Sequence, residues 1–150
     1  MKKFKFNLES VLKYRASVER YEKGVLAALN AKLRELTDEL AKLNGDYTKE
    51  SVKFERMMRD GISVHEIRSC HAIIENIEFY IEKKSAEIEA QRRLISKQTA
   101  AVVKAMRESK TMDRLKEIKH DEYLKAENKE HEKFVEDYIS RQMTAKKIKN

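Results

Sequence analysis

The chain contains no proline and only three glycines, and this scarcity of turn-forming residues limits the folds that it can adopt. Sandwiches, barrels and doubly wound α/β folds reverse direction many times and need such residues at their turns, so the sequence argues against them. Charged residues make up 39% of the 150 positions and hydrophobic residues 41%. High charge without proline is typical of long helices and coiled coils, whereas the apolar share is too large for a disordered chain.

The first part of the chain carries apolar residues at steps of three and four, the spacing of one helix face. The apolar residues on this ladder are Leu8, Val11, Val18, Val25, Leu29, Leu33, Leu36, Leu40, Leu43, Tyr47, Phe54 and Met57, with the polar residues Arg15, Glu22 and Glu50 at the intervening steps. Two consecutive steps of four, from Val25 to Leu33, form a stutter that locally unwinds a left-handed supercoil. The pattern predicts a helix over about residues 8–59, with an extended lead-in over residues 1–6 and Asn7 as the N-cap.

A turn is predicted at residues 60–63, because Asp-Gly is a turn signal and Gly61 can adopt the left-handed conformation that ends many helices. Ser63 and Glu66 have the spacing of a capping box, which starts a new helix. A second ladder follows, made of Ile67, Cys70, Ile74, Ile77, Ile81, Lys84, Ile88, Gln91, Ile95, Gln98, Val102 and Ala105. These heptads predict a second helix over about residues 64–140, with Cys70 as a structural thiol in the seam.

Two long helices joined by so short a turn are expected to fold back on each other. The predicted fold class is therefore all-α: one elongated domain, a long antiparallel two-helix coiled-coil hairpin. The second helix is the longer of the two, so we expect it to lose its partner near residue 116 and to continue as a C-terminal helical overhang. Residues 141–150 are polar and basic, with Lys146, Lys147 and Lys149, and are predicted to be a frayed tail.

The sequence contains no motif for catalysis or nucleotide binding, neither a glycine-rich phosphate loop nor a zinc-protease helix. Glu117 and His120 form one Glu-x-x-His pair, whereas di-iron bundles use two such pairs with two further glutamates. Chance placement on a charged helix is the simpler reading. An enzyme that uses this pair at a metal remains a third hypothesis, and we expect no enzymatic activity, no cofactor and no metal.

The formal net charge of +7 suits nucleic acid, an anionic membrane surface or an acidic protein partner. The 26 acidic residues are interspersed among 33 basic ones, as on the solvated face of a coiled coil, and a uniformly basic stripe is not evident. Met1-Lys2-Lys3 resembles the start of a signal peptide, but no apolar region follows it. We therefore expect a cytosolic protein without a transmembrane segment and without a nucleic-acid partner. The alternative is a basic coiled-coil module that binds nucleic acid or an anionic membrane surface.

The amino end resembles the opening of the FliJ family, the coiled-coil component of the bacterial flagellar export apparatus. That opening is roughly F-x-F-x-L-x-x-L-L-x-x-R with a glutamate soon after, and here it reads Phe4-Lys-Phe6-Asn-Leu8-Glu-Ser-Val11-Leu12-Lys-Tyr-Arg15, followed by Glu19. Valine stands at position 11 where the family has leucine. The length, the basic balance and the charged C-terminal helix also match.

The resemblance implies a non-enzymatic protein that resembles the central stalk of rotary ATPases. It implies binding to the hexameric FliI-type export ATPase and promotion of its assembly, contact with the FlhA-type export gate and with export chaperones, and a place in the cytoplasm, peripheral to the membrane at the flagellar base. The residues expected to bind the ATPase are Phe4, Phe6, Leu8, Leu12, Arg15, Tyr123, Phe134, Val135 and Tyr138. A virulence secretion system would use an equivalent stalk, but the F-x-F-x-L opening favours the flagellar branch.

The family's gate-binding surface maps by position around the turn onto Leu43, Tyr47, Ile73, Ile77 and Tyr80. Several of these are also on the apolar ladders, so both roles stay open for them. Phe79 and Tyr80 fall beside the ladder, where aromatic side chains either anchor a partner or widen the core. The isoleucine-rich seam could also pair between chains, which leaves a homo-oligomer possible.

Overall fold

The computed structural model describes residues 3–148. It contains two helices, α1 (Glu9–Asp60) and α2 (Val64–Ile148). The two helices pack against each other, and the described residues include no strand. The all-α fold class predicted from the heptads is therefore confirmed. The ends of α1 lie within one residue of the predicted bounds.

Leu8, not Asn7, is the residue that precedes the first turn of α1. Its carbonyl oxygen accepts the first intrahelical bond, from the Leu12 N–H at 2.9 Å, and the Glu9 N–H donates to the Phe6 carbonyl at 3.2 Å. The prediction of Asn7 as the N-cap is wrong by one position. The lead-in satisfies a free N–H of the first turn through its own backbone, so a side-chain cap at Asn7 is not needed there.

The predicted turn is confirmed in its atomic detail. Gly61 has a φ of 86°, a conformation that side chains with a Cβ rarely adopt. The Glu66 N–H donates to Ser63 Oγ at 3.3 Å, and the Ser63 N–H donates to Glu66 Oε2 at 2.8 Å. This reciprocal pair is the capping box. The bond from the Ser63 backbone N–H is the main reason why the pKa of Glu66 lies below its ordinary value.

Helix α2 continues through Ile148, so the prediction of a helix end near 140 and a frayed tail from 141 is wrong for the residues that the structure describes. The chain has no glycine or proline after Gly61 to stop a helix. Lys146 and Lys147 lie in the last turn, where positive charge interacts favourably with the helix dipole. Lys149, the third lysine of the predicted basic cluster, lies outside the described residues.

Contacts divide the chain into two units, of which the second is Arg20–Val103. In this unit the ladders meet in a narrow seam, where Leu36 and Ile88 are each 5% exposed. Gln91 and Gln98, two polar rungs of the second ladder, lie in the same seam. Gln91 Nε2 donates to the Leu29 carbonyl oxygen at 2.9 Å, and Gln98 Nε2 donates to the Glu22 carbonyl oxygen at 3.0 Å. Bonds of this kind specify the register between two helices.

The first unit comprises Met1–Glu19 and Lys104–Asn150. Ala105 and Ser109 of α2 are buried here at 5% and 7% exposure. Two ion pairs join α1 to α2 in this unit: Arg15 to Glu108 at 2.5 Å and Lys116 to Glu9 at 2.9 Å. The first turn of α1 is thus opposite residue 116, where the sequence predicted that α2 loses its helical partner.

Candidate functional site

The lead-in before α1 packs against α2, where Phe4 forms an aromatic cluster with His120 and Tyr123. We call these three residues, together with the buried Phe6, the amino clasp. The ring centroid of Phe4 is 5.0 Å from that of His120, edge to face, and 5.5 Å from that of Tyr123. Phe6 is only 8% exposed. Partial burial raises the pKa of Tyr123, and the neighbouring Glu127 carboxylate adds to this shift.

The amino clasp changes how the predicted ATPase-binding residues can act. Phe6 contributes to the packing of the chain itself, and Phe4 is half-buried between two rings of α2. Arg15 is engaged by Glu108, while Leu8 remains 41% exposed and Leu12 half-buried. The opening motif therefore has a structural role within the first unit, because it extends the cover over α2 by about two turns beyond the end of α1.

Beyond Tyr123, α2 has no covering element in the described chain: every residue from Leu124 to Lys147 is exposed. Six large apolar side chains lie on this part of the helix. We call them the C-terminal stripe, and they are Leu124, Phe134, Val135, Tyr138, Ile139 and Met143. Phe134 and Met143 are the most exposed, at 70% and 67%.

Three of the predicted ATPase-binding residues, Phe134, Val135 and Tyr138, fall on the C-terminal stripe. Phe134 and Tyr138 are one turn apart and line a small hollow with Arg141. Leu124, Ile139 and Met143 were not among the predicted site residues. Ile139 lies four residues after Val135, and Met143 lies four residues after Ile139, so helical spacing is the signal that could have identified these two. Leu124, ten residues before Phe134, has no such signal.

The predicted gate-binding residues, which all lie in the second unit, divide into two groups. Leu43, Tyr47 and Ile77 are half-buried, as seam residues are. Ile73 and Tyr80 are each 47% exposed, on the outer side of α2.

Phe79, which the sequence analysis left out of the gate set, is 61% exposed. Its ring lies 5.6 Å from that of Tyr80, edge to face. We call Ile73, Phe79 and Tyr80 the outer aromatic patch. In a protein with so few aromatic residues, an exposed pair of rings is a candidate anchor for a partner.

The described residues contain no group of three or more His, Cys, Asp or Glu side chains placed to hold a metal ion. Glu117 forms an ion pair with Arg114 at 2.9 Å, and the His120 ring belongs to the amino clasp. The Glu-x-x-His pair is therefore explained by these two contacts. None of the helices in the part of the chain that the structure describes is long and apolar enough to cross a membrane.

The geometry defines a class: an all-α protein of two packed helices that exposes several large apolar and aromatic side chains. A family model described as the flagellar FliJ protein matches residues 4–147. The chain belongs to this family, whose members are components of flagellar or type III protein export.

A solved structure of a protein described as a YscO homolog, CT670 of Chlamydia trachomatis, is similar to this chain with a TM-score of 0.48 and 19% sequence identity. The similarity covers 99% of this chain and 100% of the other. No curated protein sequence matches this one.

Proposed function

We propose that this protein binds the flagellar export ATPase through the C-terminal stripe and promotes assembly of the ATPase ring in the manner of a central stalk. The observation that carries this proposal is the full exposure of residues 124–147 together with their six large apolar side chains. Membership of the FliJ family supplies the export apparatus as the setting.

The argument for a partner at this surface is energetic. An isolated helix is marginal in water, and in proteins most helical stability comes from packing an apolar face against another element. The C-terminal stripe lacks such an element within the part of the chain that the structure describes. Phe134 and Tyr138 are residue types that dominate binding energy when a partner desolvates them. A socket in an ATPase ring would bury the stripe and stabilise the last part of α2.

In this proposal the amino clasp stabilises the segment that leads into the C-terminal stripe but is not the main contact with the ATPase. Phe4, His120 and Tyr123 order the segment of α2 directly before the C-terminal stripe. Leu8, 41% exposed, is the residue of the opening motif that remains available to a partner. Phe4, Phe6, Leu12 and Arg15 act in this proposal by holding the lead-in and α1 on α2.

The outer aromatic patch is the surface that we assign to the export gate, with export chaperones as further partners. Ile73, Phe79 and Tyr80 carry this contact, and Leu43, Tyr47 and Ile77 support it from the seam. In this proposal the protein acts in the cytoplasm, associates peripherally with the membrane at the flagellar base, and has no catalytic activity or cofactor of its own.

The test is ATP hydrolysis by the flagellar export ATPase of the same organism, with and without this protein. We expect stimulation by the wild type, and loss of most of it in the variant Phe134→Ala with Tyr138→Ala. The matched control is Lys129→Ala with Lys133→Ala, which changes two exposed residues on the opposite side of the same helix and should leave stimulation intact. Absence of both stimulation and co-elution for the wild type would overturn the proposal.

A further inference from the structure

Two apolar hollows with basic rims lie side by side on the first unit. One lies between the lead-in and α2, and the other lies along residues 107–118 of α2. The half-buried Leu115 lines both of them, and we call the two together the basic trough. Its floor consists of Phe6, Leu8, Leu115 and Ile118. Its rim consists of six cations, Lys3, Lys5, Arg107, Lys110, Arg114 and Lys119.

The positive charge of the rim is only partly balanced by the chain itself. Among residues 3–148, no carboxylate lines either hollow. Arg114 pairs with Glu117 at 2.9 Å and Lys119 pairs with Glu122 at 2.8 Å, and all four side chains are more than half exposed. The other four cations of the rim form no ion pair within the described part of the chain. The trough therefore attracts a ligand that carries negative charge.

A third hollow, on another side of Phe4, lacks this excess of positive charge. It is lined by Asp113 and Glu117 as well as by Lys116. Lys116 is itself paired with Glu9 at 2.9 Å. A surface of mixed charge does not select a ligand by its sign, whereas the basic trough does.

The floor of the basic trough is apolar and recessed. Phe6 is 8% exposed and Leu115 is half-buried, whereas Leu8 and Ile118 are each 41% exposed. Apolar groups of a ligand that covered this floor would release water from large side chains, which favours binding. The complementary ligand therefore brings apolar groups for the floor and carboxylates for the rim.

The shape of the basic trough favours a protein segment over a membrane or a nucleic acid. A bilayer surface is flat, so it would meet the long cationic side chains of the rim before it reached the recessed floor. Single-stranded nucleic acid stacks its bases on aromatic rings that are free to receive them. The rings of Phe4 and Tyr123, which line the trough at this end, are instead packed together with their centroids 5.5 Å apart.

We propose that the basic trough binds an acidic amphipathic helix of a partner protein, with the apolar face of that helix on the floor and its carboxylates at the rim. Every fourth residue of α2 lines the trough, from Arg107 through Thr111, Leu115 and Lys119 to Tyr123. Such a row is a ridge against which a second helix packs. The site does not depend on the proposed function, because it shares no residue with the C-terminal stripe or the outer aromatic patch.

The test is fluorescence anisotropy of a labelled synthetic peptide mixed with the full chain. The peptide has the length of about five helical turns, with leucine on one face and glutamate on both flanks. We expect a dissociation constant on the order of 10 μM, as for a small interface. A peptide of the same composition in scrambled order, and a peptide with lysine in place of glutamate, should each bind at least about tenfold more weakly.

Charge reversal locates the peptide at the rim. Arg107→Glu with Lys110→Glu reverses two unpaired cations of the trough and should weaken binding at least about tenfold. The matched control, Lys53→Glu with Arg56→Glu, reverses an exposed lysine and an exposed arginine at the same spacing in the second unit, and should leave binding unchanged.

A second pair of variants tests the floor. Ile118→Ser removes an exposed apolar side chain and should weaken binding at least about threefold. Leu94→Ser, which removes a 52% exposed aliphatic side chain elsewhere on α2, is the control. The variant Phe134→Ala with Tyr138→Ala, which tests the ATPase surface, should bind the peptide as the wild type does. Failure of the trough and failure of the proposed function are therefore distinguishable.

Three results would overturn the proposal: no binding of the peptide at about ten times the expected dissociation constant, equal binding of the scrambled peptide, or rim variants that bind as the wild type does. Circular dichroism of each variant checks that α2 remains helical. Phosphatidylglycerol vesicles or duplex DNA that bound more tightly than the peptide, and lost this binding in the rim variant, would also count against the proposal and would favour the basic-module alternative.

Discussion

The seam of the second unit and the C-terminal stripe of the first unit both consist of apolar residues at helical spacing, yet the seam is buried and the stripe is exposed. Ile88 in the seam is 5% exposed, whereas Ile139 in the stripe is 50% exposed, and both belong to α2. The difference lies in what covers the two regions: the seam has α1 opposite, whereas residues 124–147 have no covering element among residues 3–148. Heptad spacing therefore indicates an apolar helix face that can pack against another element, but it does not identify that element.

The side chains of the two regions differ as well. The seam is mainly aliphatic, with amide rungs at Gln91 and Gln98 that bond to backbone carbonyls of α1. The stripe has two aromatic residues, Phe134 and Tyr138. Aliphatic residues with well-placed amides specify one intramolecular partner, whereas exposed aromatic residues are typical of surfaces that bind a second molecule.

The largest expected effect is at the seam. Ile88→Ala should lower the free energy of unfolding by about 2–4 kcal/mol, because it removes a buried aliphatic side chain and leaves a cavity. Urea unfolding followed by circular dichroism measures it, with Ile139→Ala as the matched substitution in the same helix. If both variants lost equal stability, the two regions would not differ in cover as the structure indicates.

A medium effect is expected at the turn that starts α2. Ser63→Ala removes the hydroxyl of the capping box and should cost about 1 kcal/mol at pH 7. The pKa of Glu66 lies below its ordinary value of 4.5 in the folded protein. A carboxyl with a lowered pKa contributes stability above its unfolded pKa and loses it as the pH falls through the folded pKa.

The difference between wild type and Ser63→Ala should therefore shrink when the pH is lowered below the folded pKa of Glu66. Unfolding in urea at neutral pH and in acid measures this change. Ser69→Ala, which replaces an exposed serine further along the same helix, is the control and should show a small effect at both pH values. A gap that widened in acid would contradict the role assigned to the Glu66 carboxylate.

The smallest effect on stability is expected in the stripe. Ile139→Ala should change the free energy of unfolding by less than about 0.5 kcal/mol, because its side chain is already exposed in the single chain. The measurement is made at protein concentrations low enough to keep the chain monomeric. A loss as large as that of Ile88→Ala would mean that the stripe is covered within its own chain.

Much of the fold follows from local patterns. The second ladder predicted Ile88, Gln91, Val102 and Ala105 as seam residues, and all four are buried. The turn was predictable because Gly61 and the Ser63 capping box act within a few residues of each other. The sequence predicts the end of α2 eight residues too early, because a polar, basic stretch suggests fraying, whereas residues 141–148 contain no glycine or proline that would end a helix.

The exposure of the predicted site residues follows less directly from the sequence. Phe6 looks like an exposed anchor in the sequence, yet the lead-in folds onto α2 and buries it. His120 is, from the sequence, a chance member of a Glu-x-x-His pair, and in the structure its ring packs against Phe4. Such contacts join residues more than a hundred positions apart, and no helical spacing encodes them. Phe79, by contrast, is recognisable in the sequence as lying beside the ladder. Only Tyr80, whose ring contacts that of Phe79, belongs to the predicted gate-binding set.

The sequence by itself determined the all-α class, the turn, the seam and the opening motif of the family, because helix periodicity and capping are local and repeat along the chain. Only the tertiary structure decided where intramolecular cover ends, at Tyr123, and which side chains remain uncovered beyond it. The physical reason is that the burial of a side chain depends on the surface that packs against it as well as on its own helix. Which surfaces pack together is set by the relative lengths and register of the two elements, and these are established only when the chain folds.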